Sequence, residues 1–364
     1  MQDNKRRAAE QEGTGWAPDL ALERLIERLE EERKVKASVR TREQRRAELL
    51  ASLQRILGDF DDLAEEGGPL APRLLERIET AGMIRERVEF TAGYGLRVPA
   101  YAVWSKTSGG GRLPAVLALH GHGSGSRDML GLSPDGTPKP DGPGIHGDTV
   151  EALSQRGFFV LVPDIAGFGD RKLMRDAGRS DPSANSCFGL ASALLMTGRT
   201  LAGLRVFEAR RALDYLDTRD DVDAARVGCI GFSGGGMVAS LTTAVENRIR
   251  AAVICGYGST YRGSILAMQH CLDNYLPGIL REAEMPELLG LIAPRPLLLE
   301  SGRSDHLFPV EEVQAAADYL VELYAELGAA DCFRLDLFEG GHEIRGGLSF
   351  DWLQTKVKEE RGHA

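Results

Sequence analysis

The run Gly231-Phe232-Ser233-Gly234-Gly235-Gly236 constrains this chain more than any other stretch. It lies between an apolar run at 226–230 and a helical one that begins at Met237. Strand, glycine-flanked serine and helix make a turn so tight that the neighbours of the serine must be small, because a Cβ there would strike the next strand or helix. Glycine also accepts the strained dihedrals that lift a hydroxyl above a sheet. Alone the string is weak, because 43 glycines produce such matches by chance, and Ser233 could be a plain turn residue. The reading depends on whether other strand ends supply a base, an acid and an oxyanion hole.

Strands and helices alternate around this turn. Residues 84–91 and 96–104 flank Gly93-Tyr94-Gly95 and read as an antiparallel hairpin. Residues 114–119 are continuously apolar, as in a sheet covered on both faces, and end in His120-Gly121-His122-Gly123. Further strands are expected at 158–164, 249–255, 296–300 and 333–338. Helices are expected at 149–155, at 190–216 with interruptions at Gly198 and Gly203, at 310–327 and at 350–359. This alternation predicts an α/β fold with a mostly parallel central sheet and helices on both faces.

Residues 81–364 form the expected catalytic domain, with 1–80 as an N-terminal helical extension. Residues 1–18 are polar and expected to fray. Asp19 is placed to cap a helix with Leu22, Leu25, Ile26 and Leu29 on one face. A highly charged stretch from Glu30 to Glu48 follows, then a stripe of Leu49, Leu53, Ile56 and Leu57 that Gly58 ends. Beyond Gly67-Gly68-Pro69 a short helix is expected around Leu74 to Ile78. The extension is either an arm packed on the main domain or an arm through which copies form a homo-oligomer. Sustained heptads, which a coiled coil would need, are missing.

The 364 residues, with 43% hydrophobic and 27% charged, suit an ordinary soluble globular protein with a large core and one accessory segment. A net charge of −10 argues against nucleic acid as a partner. No apolar run reaches the roughly 18 residues that span a bilayer, so no membrane association is expected. No signal peptide is visible, and Cys187, Cys229, Cys255, Cys271 and Cys332 form no close pairs. A cytoplasmic, reduced setting with buried or inert thiols is the expectation.

Serine is a poor nucleophile without a base, and the base needs a carboxylate to orient it. Asp305 lies just past the 296–300 strand, and His342 lies just past the last one. Ser233, Asp305 and His342 are thus the candidate nucleophile, acid and base. Asp164 is a rival acid at another strand end, and Asp305 could instead cap a helix; His306 reads as a turn residue. The oxyanion hole is expected from the N–H groups of Gly234 and His122. His120, Tyr257 and Tyr275 are expected at the substrate. A loop at 124–148 is too long for a neutral connector and is expected to rim the site. The segment 257–293 reads either as packing or as a partial lid. Arg171 either pairs with a carboxylate or binds an acidic substrate. No metal or cofactor is called for: a dinuclear metallohydrolase would want His-x-His-x-Asp-His, and Gly123-Ser124-Gly125 fill those places.

Further runs carry a resemblance. These are Leu119 to Gly123, Pro163-Asp164 leading to Gly167-Phe168-Gly169-Asp170-Arg171, Gly198 to Gly203, Ala212 to Leu216, and Ala293-Pro294-Arg295-Pro296. Over residues 83–359 the chain resembles α/β-hydrolases of the dienelactone hydrolase-like and acetylxylan esterase-like group. The resemblance implies an α/β-hydrolase fold and the chain order nucleophile, acid, base. Dienelactone hydrolase proper uses cysteine where this chain has Ser233. That difference shifts the expectation to a serine esterase acting on small or medium carboxylic esters, acetylated sugars among them. The alternatives are a peptidase or amidase of the prolyl-oligopeptidase kind, and a non-catalytic binding protein on the same fold.

Overall fold

The structure, a computed structural model, describes residues 16–60, 62, 68–93, 95–107, 111–140, 142, 144–178 and 185–359. Residues 1–15, Gly67 and Tyr94, all of which entered the sequence reading, lie outside the described residues.

Helices α1 (Asp19–Ser38) and α2 (Arg42–Leu57) precede a nine-stranded sheet. Its strands are β1 (Arg73–Glu79), β2 (Met83–Gly93), β3 (Leu96–Ser105), β4 (Leu113–Leu119), β5 (Phe159–Pro163), β6 (Val222–Phe232), β7 (Ile249–Cys255), β8 (Leu297–Gly302) and β9 (Phe333–Phe338). They lie in the order β1-β2-β3-β5-β4-β6-β7-β8-β9. The first three form an antiparallel meander, β3 runs antiparallel to β5, and the remaining pairs are parallel. The chain turns from β5 on one side of β4 to β6 on the other. The β4–β6 junction is therefore the topological switch point, where open α/β sheets leave a crevice at their strand ends.

Alternate residues of the central strands enter two cores. Leu117, Leu119, Cys229 and Ile254 face one, while Val116, Ala118, Ile230 and Val253 face the other. The first core is closed by α5 (Leu201–Asp217), α6 (Gly234–Val245) and α8 (Val310–Glu326); the second by α3 (Thr149–Gln155) and α9 (Ser349–Lys358). Helices α4 (Cys187–Met196) and α7 (Met285–Gly290) also add residues to the first core.

The stretch expected as a short helix, Leu74 to Ile78, is instead the edge strand β1. The outer edge of β2 offers a row of backbone donors and acceptors, and pairing with it satisfies more groups than one isolated helical turn would. Cross-strand ion pairs Arg77–Glu86 (2.7 Å) and Arg73–Glu89 (3.2 Å) reinforce it. The expected helix at 190–216 is two helices, α4 and α5, which meet at 101°. Gly198 has a positive φ of 77° where α4 ends, and the Thr200 hydroxyl caps α5 by accepting from Gly203 N–H at 3.0 Å. Gly203 is not a break. It lies inside α5 with the Leu57 carbonyl occupying the place of a Cβ.

That contact docks α2 on the sheet. Thr41 and Gln44 form a reciprocal capping box, and Leu49, Leu53 and Leu57 are buried with Phe60. Each buried leucine stabilises the docked helix by about 1.5–3 kcal/mol. By contrast α1 buries no residue. It lies over 279–287 through Arg33, which reaches the Leu280 carbonyl (3.2 Å) and Glu287 (3.1 Å). Asp19 opens α1 after Pro18, with no side-chain cap. Among the described residues no single helix is long and apolar enough to cross a membrane.

Candidate active site

Ser233 follows β6 at the switch point, with φ 54° and ψ −121°. Ser233 and Ala71 alone among the described non-glycine residues have positive φ. Ser233 N–H donates to the Cys255 carbonyl at 2.9 Å, which ties the strained turn to β7. The glycines around it have no room for a side chain. A Cβ on Gly231 would meet the Gly235 carbonyl and Ala239, and one on Gly235 would meet the carbonyls of Leu119 and His120. Gly234 opens α6, so its N–H has no partner inside the helix and lies at the positive end of the helix dipole.

The loop after β4 comes up beside this helix start. His120 is 1% exposed, its Nδ1–H donates to the Gly121 carbonyl (2.8 Å), and its Nε2 accepts from Ile165 N–H (3.0 Å). Burial lowers its pKa, and both hydrogen bonds suit the neutral ring. His120 therefore orders the loop from behind rather than meeting substrate. The His122 ring stands edge-on to Phe168, with centroids 5.0 Å apart. It also covers Gly234, where a Cβ would lie 2.8 Å from His122 Nδ1.

Two residues that sequence reasoning missed support these loops. His146, in the 124–148 loop, accepts from Gly121 N–H at 3.1 Å and lies edge-on to Phe232. Burial drives its pKa down to about 3, so it is a neutral acceptor at ordinary pH. Glu300, on β8 and 1% exposed, accepts from the Ser349 hydroxyl (2.6 Å) and from Arg345 and Gly346 N–H (3.0 and 3.2 Å). It anchors the segment just beyond His342. Neither had a signal beyond its residue type.

The loops after β8 and β9 are joined through Arg303 N–H to Phe338 and Ser304 N–H to Gly340, both 2.9 Å. Asp305 and His342 meet there: His342 Nδ1 donates to Asp305 Oδ2 at 2.6 Å. The other carboxylate oxygen accepts from Leu307 N–H (2.9 Å) and Phe308 N–H (3.3 Å). The imidazole is stacked on Phe308 and rests on Phe232, the residue before Ser233, with its centroid 4.7 Å away. It also touches Gly256, where a Cβ would lie 3.1 Å from His342 Cε1. The structure thus brings His342, held by Asp305, to the flank of the serine turn.

The rival acid is engaged elsewhere. Asp164 accepts from Arg87 (2.9 Å) and Ser126 N–H (2.6 Å). Burial would raise its pKa, but Arg87, His120 and Ser126 outweigh that and hold it low. Arg171 forms a two-pronged pair with Glu208 (2.5 and 2.6 Å), so it is structural. His306 is exposed.

Tyr257 is 3% exposed and packs against Phe308, with centroids 5.5 Å apart; it backs the turn instead of opening to solvent. Tyr275 is half-buried, and its hydroxyl lies 3.4 Å from both His270 N and the Ile265 carbonyl. Much of the 257–293 segment packs: Tyr261, Ile265, Leu276, Met285 and Leu289 join the sheet core.

The model of the dienelactone hydrolase family matches residues 142–327, which hold Ser233 and Asp305. YtaP of Bacillus subtilis (strain 168), whose name designates a hydrolase, is 32% identical over 307 residues, covering 82% of this chain and 94% of that protein. The chain belongs to the dienelactone hydrolase family. It is an ester-bond hydrolase on an α/β-hydrolase fold. Solved structures similar to this family member include a glucuronoyl esterase from Solibacter usitatus, with TM-score 0.62 and 16% identity over 86% of this chain and 92% of that one. Another is acetyl xylan esterase 1 from Thermoanaerobacterium sp. JW/SL YS485, with TM-score 0.54 and 19% identity over the same shares.

Proposed function

We propose that this dienelactone hydrolase family member cleaves small or medium carboxylic esters through an acyl-enzyme on Ser233, with acetylated sugars among its substrates. The observation that carries the reading is the 2.6 Å bond from His342 to Asp305 beside a serine held at positive φ. With Nδ1–H donated to Asp305, the Nε2 lone pair of His342 is the ring's free base. Ser233 Oγ attacks the ester carbonyl as His342 Nε2 takes its proton. The Gly234 and His122 N–H groups receive the oxyanion, and His342 returns the proton to the leaving alkoxide. Water then attacks the acyl group with the same base, releasing the acid and freeing Ser233. The names of the two esterases with similar folds support sugar-linked esters as the first substrates to try.

The test is intact-mass analysis of enzyme quenched during turnover of p-nitrophenyl acetate. One acetyl adduct on the Ser233 peptide is expected. Turnover with no adduct and no pre-steady-state burst, or an adduct on another residue, would refute the acyl-enzyme. A parallel panel of aminoacyl anilides should be turned over far more slowly than acetyl esters. The reverse preference would favour the amidase reading.

A further inference from the structure

Beside the turn that carries Ser233, on the far side of Gly234 where the His122 ring lies, four ligating side chains converge. His122 follows β4, Cys187 opens α4, and Cys271 and Asp273 lie in the 257–293 segment. One ligand atom from each lies within 4.8 Å of all the others. His122 Nε2 is 3.5 Å from Asp273 Oδ2, and Cys187 Sγ is 4.0 Å from the same oxygen. His122 Nε2 is buried and has no hydrogen-bond partner, a costly state for a ring nitrogen. Cys187 and Asp273 are sealed from solvent, at 0% and 2% exposure, while Cys271 is half-buried and gives a way in. Arg205, itself 2% exposed, reaches the cluster with Nη2 3.1 Å from Cys187 Sγ and its other terminal nitrogen on Asp273.

We propose that His122, Cys187, Cys271 and Asp273 form a site for a thiophilic divalent cation of the zinc(II) kind. Two sulfurs, one imidazole nitrogen and one carboxylate oxygen are a tetrahedral set that suits zinc and not the oxygen-seeking magnesium or calcium. The charges also close. Two thiolates and one carboxylate carry three negative charges, and the ion with the Arg205 guanidinium carries three positive ones. On binding, each thiol proton still present passes to solvent, two sulfur–metal bonds form, and no electron is transferred. The Arg205 N–H groups on sulfur and carboxylate then serve as the outer hydrogen bonds that orient metal ligands. Donors around zinc stand roughly 3.5–4 Å apart, given bonds of about 2.0–2.3 Å, so the cluster needs to close by about 1 Å. The irregular backbone around Cys271 can supply that movement. An ion here would fix His122 against Gly234. No short Cys spacing announces the site, because its ligands come from three separate segments.

Cobalt(II) titrated into the chelator-treated, reduced full-length protein tests this without reading catalysis. One equivalent should bind with thiolate-to-cobalt charge-transfer absorption and tetrahedral visible bands, and zinc(II) should displace it. Cys187→Ser and Cys271→Ser should each weaken binding at least about 10-fold and diminish the charge-transfer band. Cys271→Ser, at the half-buried position, guards against a misfolded variant, and circular dichroism checks both. Zinc(II) should also raise the thermal midpoint of the wild type but not of Cys271→Ser. An octahedral spectrum without charge transfer, or binding unchanged in folded Cys271→Ser, would overturn the proposal.

Discussion

Asp305 receives three hydrogen bonds at once, from the His342 ring and from the Leu307 and Phe308 amides. Its carboxylate therefore fixes which nitrogen of His342 stays free. Asp305→Asn preserves the shape but can place an N–H donor against Nδ1, favouring the wrong tautomer. Ester hydrolysis should fall by about 10⁴-fold in kcat, as for the same change in other triads. Steady-state kinetics on p-nitrophenyl acetate checks this; a loss under 10-fold would remove Asp305 from the reaction. His146 acts in the same region through a different property. Its pKa falls from an ordinary 6.5 to about 3 because it is buried. Between those values the unfolded chain binds the proton and the folded one does not, so stability rises with pH. The contribution is complete above pH 6.5 and is lost as pH falls from there toward 3. Thermal unfolding followed from pH 7 to 4 should show a shallower decline for His146→Gln, which keeps an acceptor without titrating. An unchanged slope would exclude this role.

At the scale of elements, β4, β6 and α6 are locked together by the absence of side chains. Gly235→Ala would push a Cβ into the carbonyls of Leu119 and His120. The cost should be at least about 1–3 kcal/mol, from the overpacking. Hydrolysis should fall with it, because the displaced backbone carries His122. Gly82→Ala, with nothing within 4 Å of the new methyl, is the control and should stay within about 0.5 kcal/mol. Chemical denaturation of both variants measures the difference, and equal midpoints would contradict the packing account. Most of this region was legible in the sequence, because local rules govern it: a serine among glycines between a strand and a helix, and Asp305 and His342 each just past a strand. Glu300 and His146 were not legible. Their roles depend on backbone amides brought to them by tertiary packing, and a lone Glu in a strand or His in a loop carries no sign of that. The helix expected at Leu74 to Ile78 failed for a related reason: its partner is the edge of β2, with Leu74 opposite Val88 and Ile78 opposite Arg85, a pairing that the pattern within the segment itself does not show.

For the whole molecule, the N-terminal region divides in two. Helix α1 is tied by ion pairs over the 279–287 turn, whereas α2 belongs to the main core. Leu53→Ala in α2, at 0% exposure, should cost about 2–5 kcal/mol, as for other core leucines. Removing a comparable side chain from α1, such as Leu22 at 56% exposure, should cost almost nothing. Denaturant titration separates the two, and similar losses would mean that α2 is not part of the core. The alternation of strand and helix made the sheet readable, while the stripe Leu49, Leu53 and Leu57 marked α2 as a packed element. The face of the domain it covers depends on Gly203 and Thr200, which meet the Leu57 carbonyl only in three dimensions. The account rests finally on one hydroxyl. Ser233→Ala, with its circular dichroism spectrum matching the wild type, should lose hydrolysis of p-nitrophenyl acetate by on the order of 10⁴-fold or more in kcat; near-wild-type turnover by that folded variant would contradict the assignment of Ser233 as the nucleophile.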